Sequence, residues 1–78
     1  MILKLKYFGM IAEAIGKDGE ELDISASTVR ELQMLLIKQY NKLENKNFKI
    51  AVNQKMVEES FNLNNNDEVA LLPPFAGG

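Results

Sequence analysis

One amphipathic helix set among short alternating segments limits what this chain can become. Thr28-Val29-Arg30-Glu31 fits a capping box, in which the hydroxyl takes an orphan backbone N–H and Glu31 reaches back to the cap. Val29, Leu32, Leu35, Leu36, Tyr40 and Leu43 recur at helical spacing and form one apolar stripe, which Met34 and Ile37 widen. Asn41 to Asn47 is polar and ends the helix. A helix with one apolar stripe must lay it on something, and the rest of the chain offers short strands.

Those strands show a period of two. Ile2 to Phe8 places Leu3, Leu5 and Tyr7 on one face and Lys4, Lys6 and Phe8 on the other. Gly9 breaks the run. Met10 to Ile15 is one or two helical turns closed by Gly16, and Lys17-Asp18-Gly19 is turn chemistry. Glu20 to Ser25, with Leu22 and Ile24 inward, pairs back on the first strand. Phe48 to Val52 is a third strand, with Phe48, Ile50 and Val52 on one face. Asn53-Gln54-Lys55 turns the chain into a short strand at Met56-Val57. Phe61 and Leu63 pin the next loop to the core, Asn64 to Asp67 turns again, and Glu68 to Leu72 is the last strand. The order is that of an α+β fold, a mixed sheet wrapped on a diagonal helix. The β-grasp, or ubiquitin-like, arrangement satisfies it, with the first and last strands side by side and parallel.

Seventy-eight residues make a single domain, read as a body over 1–72 and an extended tail over 73–78. Composition is that of a soluble globular protein, 46% hydrophobic and 26% charged, with a net charge of −2 and both signs interspersed. No basic patch calls for nucleic acid, and no stretch has the length of a membrane span. The alternating N-terminus lacks the layout of a signal peptide, so a cytoplasmic location is expected. The chain has no Cys and no His. Thiolate nucleophiles, thiolate metal sites and the usual neutral-pH general base are therefore missing, as is any phosphate-binding glycine loop. The balance favours a carrier or binding module over a free-standing enzyme.

The chain then ends Pro73-Pro74-Phe75-Ala76-Gly77-Gly78, directly after the apolar run Val69-Ala70-Leu71-Leu72. Two prolines stiffen the exit from the body, and Pro73 ends the strand because it has no N–H for the ladder. Gly77 and Gly78 carry no side chain, so the final carboxylate can enter a slot too narrow for other residues. Beside this tail two residues are out of phase. Phe8 and Leu72 both fall on the face turned away from the helix, at neighbouring strand ends. With Met56 they make an apolar patch next to the tail, the mark of a partner surface.

These residues carry a resemblance. Asn66-Asp67-Glu68-Val69-Ala70, Leu71-Leu72 and the Pro-Pro…Gly-Gly ending closely resemble the end of the small subunits of molybdopterin synthases. Ala51-Val52-Asn53-Gln54 and Thr28-Val29-Arg30-Glu31-Leu32 are similar to that family's third strand and helix start. Asn66 replaces a turn glycine and tolerates the same backbone conformation. The resemblance implies a sulfur carrier. An adenylyltransferase related to ubiquitin-activating enzymes uses ATP to adenylate the Gly78 carboxylate, and a sulfur donor protein converts it to a thiocarboxylate. The tail (Pro73, Pro74, Phe75, Ala76, Gly77) then enters the large catalytic subunit, where sulfur passes to cyclic pyranopterin monophosphate. Phe8, Met56 and Leu72 match the family's apolar contacts with that subunit, and the family assembles as a heterotetramer. The resemblance implies no permanently bound cofactor and no metal.

Other readings remain open on the residues alone: a sulfur carrier for thiamine, tRNA thiolation or cysteine synthesis, a protein modifier joined to lysines through Gly78, or an inert ubiquitin-like interaction module. Glu20-Glu21 and Glu58-Glu59 read as solvated surface, and Asp18, Glu20 and Asp23 lack the spacing of a calcium loop.

Overall fold

A computed structural model describes residues 1–74. It contains β1 (Ile2–Tyr7), α1 (Gly9–Ile15), β2 (Gly19–Asp23), α2 (Val29–Gln39), a 3₁₀ turn (Asn41–Leu43), β3 (Lys49–Val52), β4 (Lys55–Met56) and β5 (Glu68–Leu72). The five strands form one mixed sheet in the order β2-β1-β5-β3-β4. β1 and β5 run parallel at its centre, and the other pairings are antiparallel. The β-grasp expectation holds.

Period-two patterning sets the layers. Leu3, Leu5 and Tyr7 of β1, Val69 and Leu71 of β5, and Ile50 and Val52 of β3 point into the core. Val29, Leu32 and Leu36 of α2 meet them from the other side. Ile11 of α1 and Leu43 of the 3₁₀ turn close the ends, each fully buried.

Local chemistry explains the boundaries. Thr28 accepts from the Glu31 N–H at 3.3 Å while the Glu31 carboxylate accepts from the Thr28 N–H at 3.1 Å, a complete capping box. The next two amides of α2 are also satisfied, Val29 by the Phe61 carbonyl and Arg30 by the Glu59 carbonyl. α1 ends on Gly16 in the left-handed conformation at φ 93°. Asn53 and Gln54, both at positive φ, make the two-residue turn joining β3 to β4.

Three expectations are corrected. Met34 does not widen the apolar stripe and is 63% exposed. Phe61 does not anchor its loop by burial and is an exposed side chain, whereas Leu63 is buried. The loop is held instead by backbone bonds, Phe61 O to Val29 N–H and Leu63 N–H to Ser27 O at 2.8 Å. Glu20 is not solvated surface. It is half-buried and accepts three hydrogen bonds.

Candidate functional site

The tail root is built by the two central strands. Tyr7 pairs with Leu71 in the parallel register, and the Phe8 N–H donates to the Leu71 carbonyl at 3.2 Å. The ladder thus runs one residue beyond the end of β1. Leu72 closes β5, and Pro73 and Pro74 follow, both half-buried. Pro73 lies against Gly9: a Cβ on Gly9 would stand 2.8 Å from its Cγ. Phe75, Ala76, Gly77 and Gly78 lie outside the described residues.

The sheet face away from the helix is laid out by register. One row across it runs Gly19, Lys6, Ala70, Ala51 and Met56. The next row places Phe8 beside Leu72, with Lys49 opposite Leu72. Phe8 and Met56 are 44% and 57% exposed, too much for core residues, and Leu72 is half-buried. Phe8 and Leu72 adjoin next to the tail root. Met56 shares their face but stands at the far edge, separated from them by Ala70 and Ala51.

Ala70 and Ala51 were not singled out in the sequence, yet they form the floor of this patch. Their signal was available: small residues at positions out of phase with the core, in strands with strands on both sides. Charge borders the patch on two sides: Lys49 stands opposite Leu72, and toward the start of β5 Lys6 Nζ pairs with Glu68 Oε1 at 2.9 Å.

On the core side, a polar cluster fixes the residue before Phe8. Glu20 of β2 accepts from the Tyr7 hydroxyl at 2.6 Å, the Tyr40 hydroxyl at 2.5 Å and Lys17 Nζ at 3.1 Å. The two tyrosine rings meet edge to face with centroids 6.5 Å apart. Partial burial pushes the Glu20 carboxyl up, but the hydrogen bonds from Tyr40, Tyr7 and Lys17 together outweigh it and hold the group below the usual carboxylate range. Burial and the hydrogen bond to Glu20 push the Tyr7 hydroxyl well above the ordinary phenol range. The hydrogen bond to Glu20 and partial burial push Tyr40 up as well. The cluster ties β1 and β2 to the end of α2. It places no base beside a nucleophile among the described residues, and its role is positional.

Among the described residues, no group of three or more His, Cys, Asp or Glu side chains is placed to hold a metal ion. No described helix is long and apolar enough to cross a membrane. The candidate site is a sheet face bearing Phe8, Leu72 and Met56 and a proline-containing root from which the chain continues to Gly77-Gly78. Such an arrangement can dock on a partner and deliver a chain segment into it.

Known proteins resemble this chain in sequence and in fold. The model of the ThiS family matches residues 5–78. The molybdopterin synthase sulfur carrier subunit of Escherichia coli (strain K12) is 32% identical over 81 residues, covering 99% of this chain and 100% of that protein. Among solved structures, a molybdopterin converting factor subunit 1 of Pyrococcus furiosus superposes with a TM-score of 0.88 at 27% identity, over 95% of this chain and 98% of that one. A complex of subunits 1 and 2 of the molybdopterin-converting factor of Helicobacter pylori matches at 25% identity, full coverage of both chains and a TM-score of 0.70. SAMP1 of Haloferax volcanii, at 22% identity, full coverage of both chains and a TM-score of 0.83, shares the fold.

Proposed function

The chain belongs to the ThiS family, and on that premise we propose that it is the sulfur-carrying subunit of a molybdopterin synthase. The observation that carries the reading is the junction of tail and patch. A strand ending in Pro73-Pro74 and leading to Gly77-Gly78 leaves the body beside exposed Phe8 and half-buried Leu72. Similarity over the full length to a named carrier subunit supports it.

In this reading the chain is not an enzyme by itself. A carboxylate resists nucleophilic attack, so an adenylyltransferase first joins the Gly78 carboxylate to AMP from ATP, with pyrophosphate leaving. The terminal sulfur of a donor protein's persulfide then attacks the acyl carbon and expels AMP, giving an acyl disulfide. A thiol cleaves its S–S bond, forming a disulfide with the donor's cysteine and releasing the thiocarboxylate. A large catalytic subunit, as in the Helicobacter pylori complex, takes up the tail and passes the sulfur to cyclic pyranopterin monophosphate. The body supplies affinity through Phe8, Leu72 and Met56. The tail supplies reach: its glycines keep the reacting end narrow, and its prolines lower the entropy lost when it is ordered in the partner. Carrier chemistry on a chain terminus suits a protein without cysteine.

Intact-mass spectrometry tests the reading. Protein made together with its activating enzyme and sulfur donor gains the mass of one sulfur-for-oxygen exchange, confined to the last peptide. The loaded carrier then restores dithiolene formation by the large subunit. Loading without pterin thiolation, but with transfer to another acceptor, points to a carrier of a different pathway. Attachment to lysines of other proteins points to a modifier. Absence of loading under competent conditions refutes the carrier role.

A further inference from the structure

We propose that Gly9 is the positioning residue of the tail: the bare backbone at this position is a seat for the Pro73 ring, and that seat sets the direction in which the tail leaves the body. The inference rests on the carrier reading for its functional consequence, though the seat itself is structural.

Four observations converge on it. Gly9 opens α1, two residues after the end of β1, and has φ +56°, a conformation that side-chain-bearing residues adopt at a cost. Space is restricted independently of that angle. A Cβ there would meet Pro73 Cγ at 2.8 Å and Cδ at 3.8 Å, and the first distance is closer than carbon atoms pack. Both partners of the contact are fixed from below. On one side, the Phe8 carbonyl accepts from the Ile11 and Ala12 N–H groups, and fully buried Ile11 ties α1 to the core. On the other, the Phe8 N–H holds the Leu71 carbonyl two residues before Pro73. Finally, a proline ring cannot rotate away, because its φ is locked. A displacement of the ring therefore displaces the Pro73 backbone, from which Pro74 continues.

A double-mutant cycle separates the seat from simple backbone strain. The proteins are wild type, Gly9→Ala, Pro73→Ala and the double variant. Pro73→Ala removes Cγ and Cδ, so the added methyl of Gly9→Ala no longer has a ring to strike, while the strain of positive φ is the same in both backgrounds. The readouts are the single-turnover rate of sulfur transfer from the loaded carrier in the large subunit, and a nitroxide on Ala76→Cys, a unique site because the chain has no cysteine. Gly9→Ala is expected to slow transfer between about ten- and a hundredfold, the usual consequence of misplacing a reacting group by about 1 Å. It is also expected to move the pattern of body amides broadened by the nitroxide. In the Pro73→Ala background the same substitution leaves both readouts unchanged. Should Gly9→Ala fold poorly, Gly9→Asn, which accepts positive φ, replaces it in the cycle. Equal effects in both backgrounds, or none in either, overturn the proposal. If the wild type transfers no sulfur, the carrier reading fails, and the nitroxide cycle alone decides whether the seat exists.

Discussion

The carboxamide of Asn53 and the carboxylate of Asp67 meet at 3.0 Å, Nδ2–H donating to Oδ1, and this contact ties together the two turns that start β4 and β5. Asn53 also binds the strand that leads to the tail. Its Oδ1 accepts from the Glu68 N–H at 3.1 Å, and its own N–H donates to the Glu68 carbonyl at 2.8 Å. The second Asp67 oxygen accepts from the Asn64 N–H at 2.8 Å, and the Asp67 carbonyl accepts from the Lys4 N–H at 2.9 Å. β1, the β3–β4 turn and the start of β5 are thereby held in one network, at the opposite end of β5 from the tail root.

Removing the carboxylate should cost more than removing the amide. Asp67 is buried, and Asp67→Ala leaves the Asn64 N–H and the Asn53 amide without their acceptor. The expected loss is about 1–3 kcal/mol. Asn53→Gly keeps the positive φ of 51° accessible and so removes only the side chain; it should cost about 1 kcal/mol. Thermal unfolding reads both, since each kcal/mol moves the midpoint by roughly 4–8 °C in a domain of this size. Two variants that melt with the wild type would show that the network contributes nothing to stability.

Glu20 gives the fold a defined acid limit. Its carboxyl is held below the usual range in the folded protein, so folding favours the ionised form. The resulting stability is fully present above the unfolded pKa of about 4.3 and is lost as pH falls through the lower folded value. Tyr7 works in the opposite direction. Its hydroxyl is pushed up, so its contribution is complete below about pH 10 and is lost at higher pH. Glu20→Gln should flatten the acid limb of a denaturant-midpoint profile between about pH 5 and 3 while lowering stability at neutral pH. An acid limb identical to wild type would show that other carboxylates set the limit.

The parts of this molecule that were legible in the sequence are the local ones. The capping box at Thr28 and Glu31 lies within one turn, and the inward faces of β1 and β5 follow from strict alternation. Phe8 and Leu72 stood out because they broke that alternation. Met34 was misplaced because it is two residues from both Leu32 and Leu36, and a step of two on a helix is about 200°, which points away from the buried stripe. The contacts between distant positions were not legible. Glu20 lies 13 residues from Tyr7 and 20 from Tyr40, and nothing in its neighbourhood of charged residues distinguishes it from Glu21. The approach of Pro73 to Gly9 depends in the same way on the parallel pairing of the terminal strands.

The apolar face should be separable from stability. Phe8 and Met56 are both largely exposed, so Phe8→Ala and Met56→Ala are expected to change unfolding free energy by no more than about 0.5 kcal/mol each, as surface substitutions do. Calorimetric binding to the large subunit should distinguish them. Phe8 adjoins Leu72 and the tail root, the proposed centre of the contact, and aromatic anchors of that kind lose about 2 kcal/mol or more on truncation. Met56 stands at the far edge of the sheet, where rim contacts cost under about 1 kcal/mol. A greater loss for Met56 than for Phe8 would move the centre of the interface away from the tail.

The reach of the tail yields the most direct test of the carrier role. Gly77 and Gly78 follow a root whose exit is stiffened by two half-buried prolines, and of the six tail residues they alone carry neither side chain nor ring. Appending one leucine after Gly78 moves the terminal carboxylate past that narrow stretch and adds a branched side chain next to the reacting carbon, while leaving Phe8, Leu72 and the core untouched. The extended protein should bind the large subunit through the same face, melt with the wild type and fail to gain sulfur from the activating system. Gly78→Ala is the milder version. One methyl group beside the acyl carbon restricts the backbone and widens the tip, and should slow loading without affecting folding. Full thiocarboxylate formation on the leucine-extended chain, measured by intact mass, would remove the terminal glycine from its proposed role.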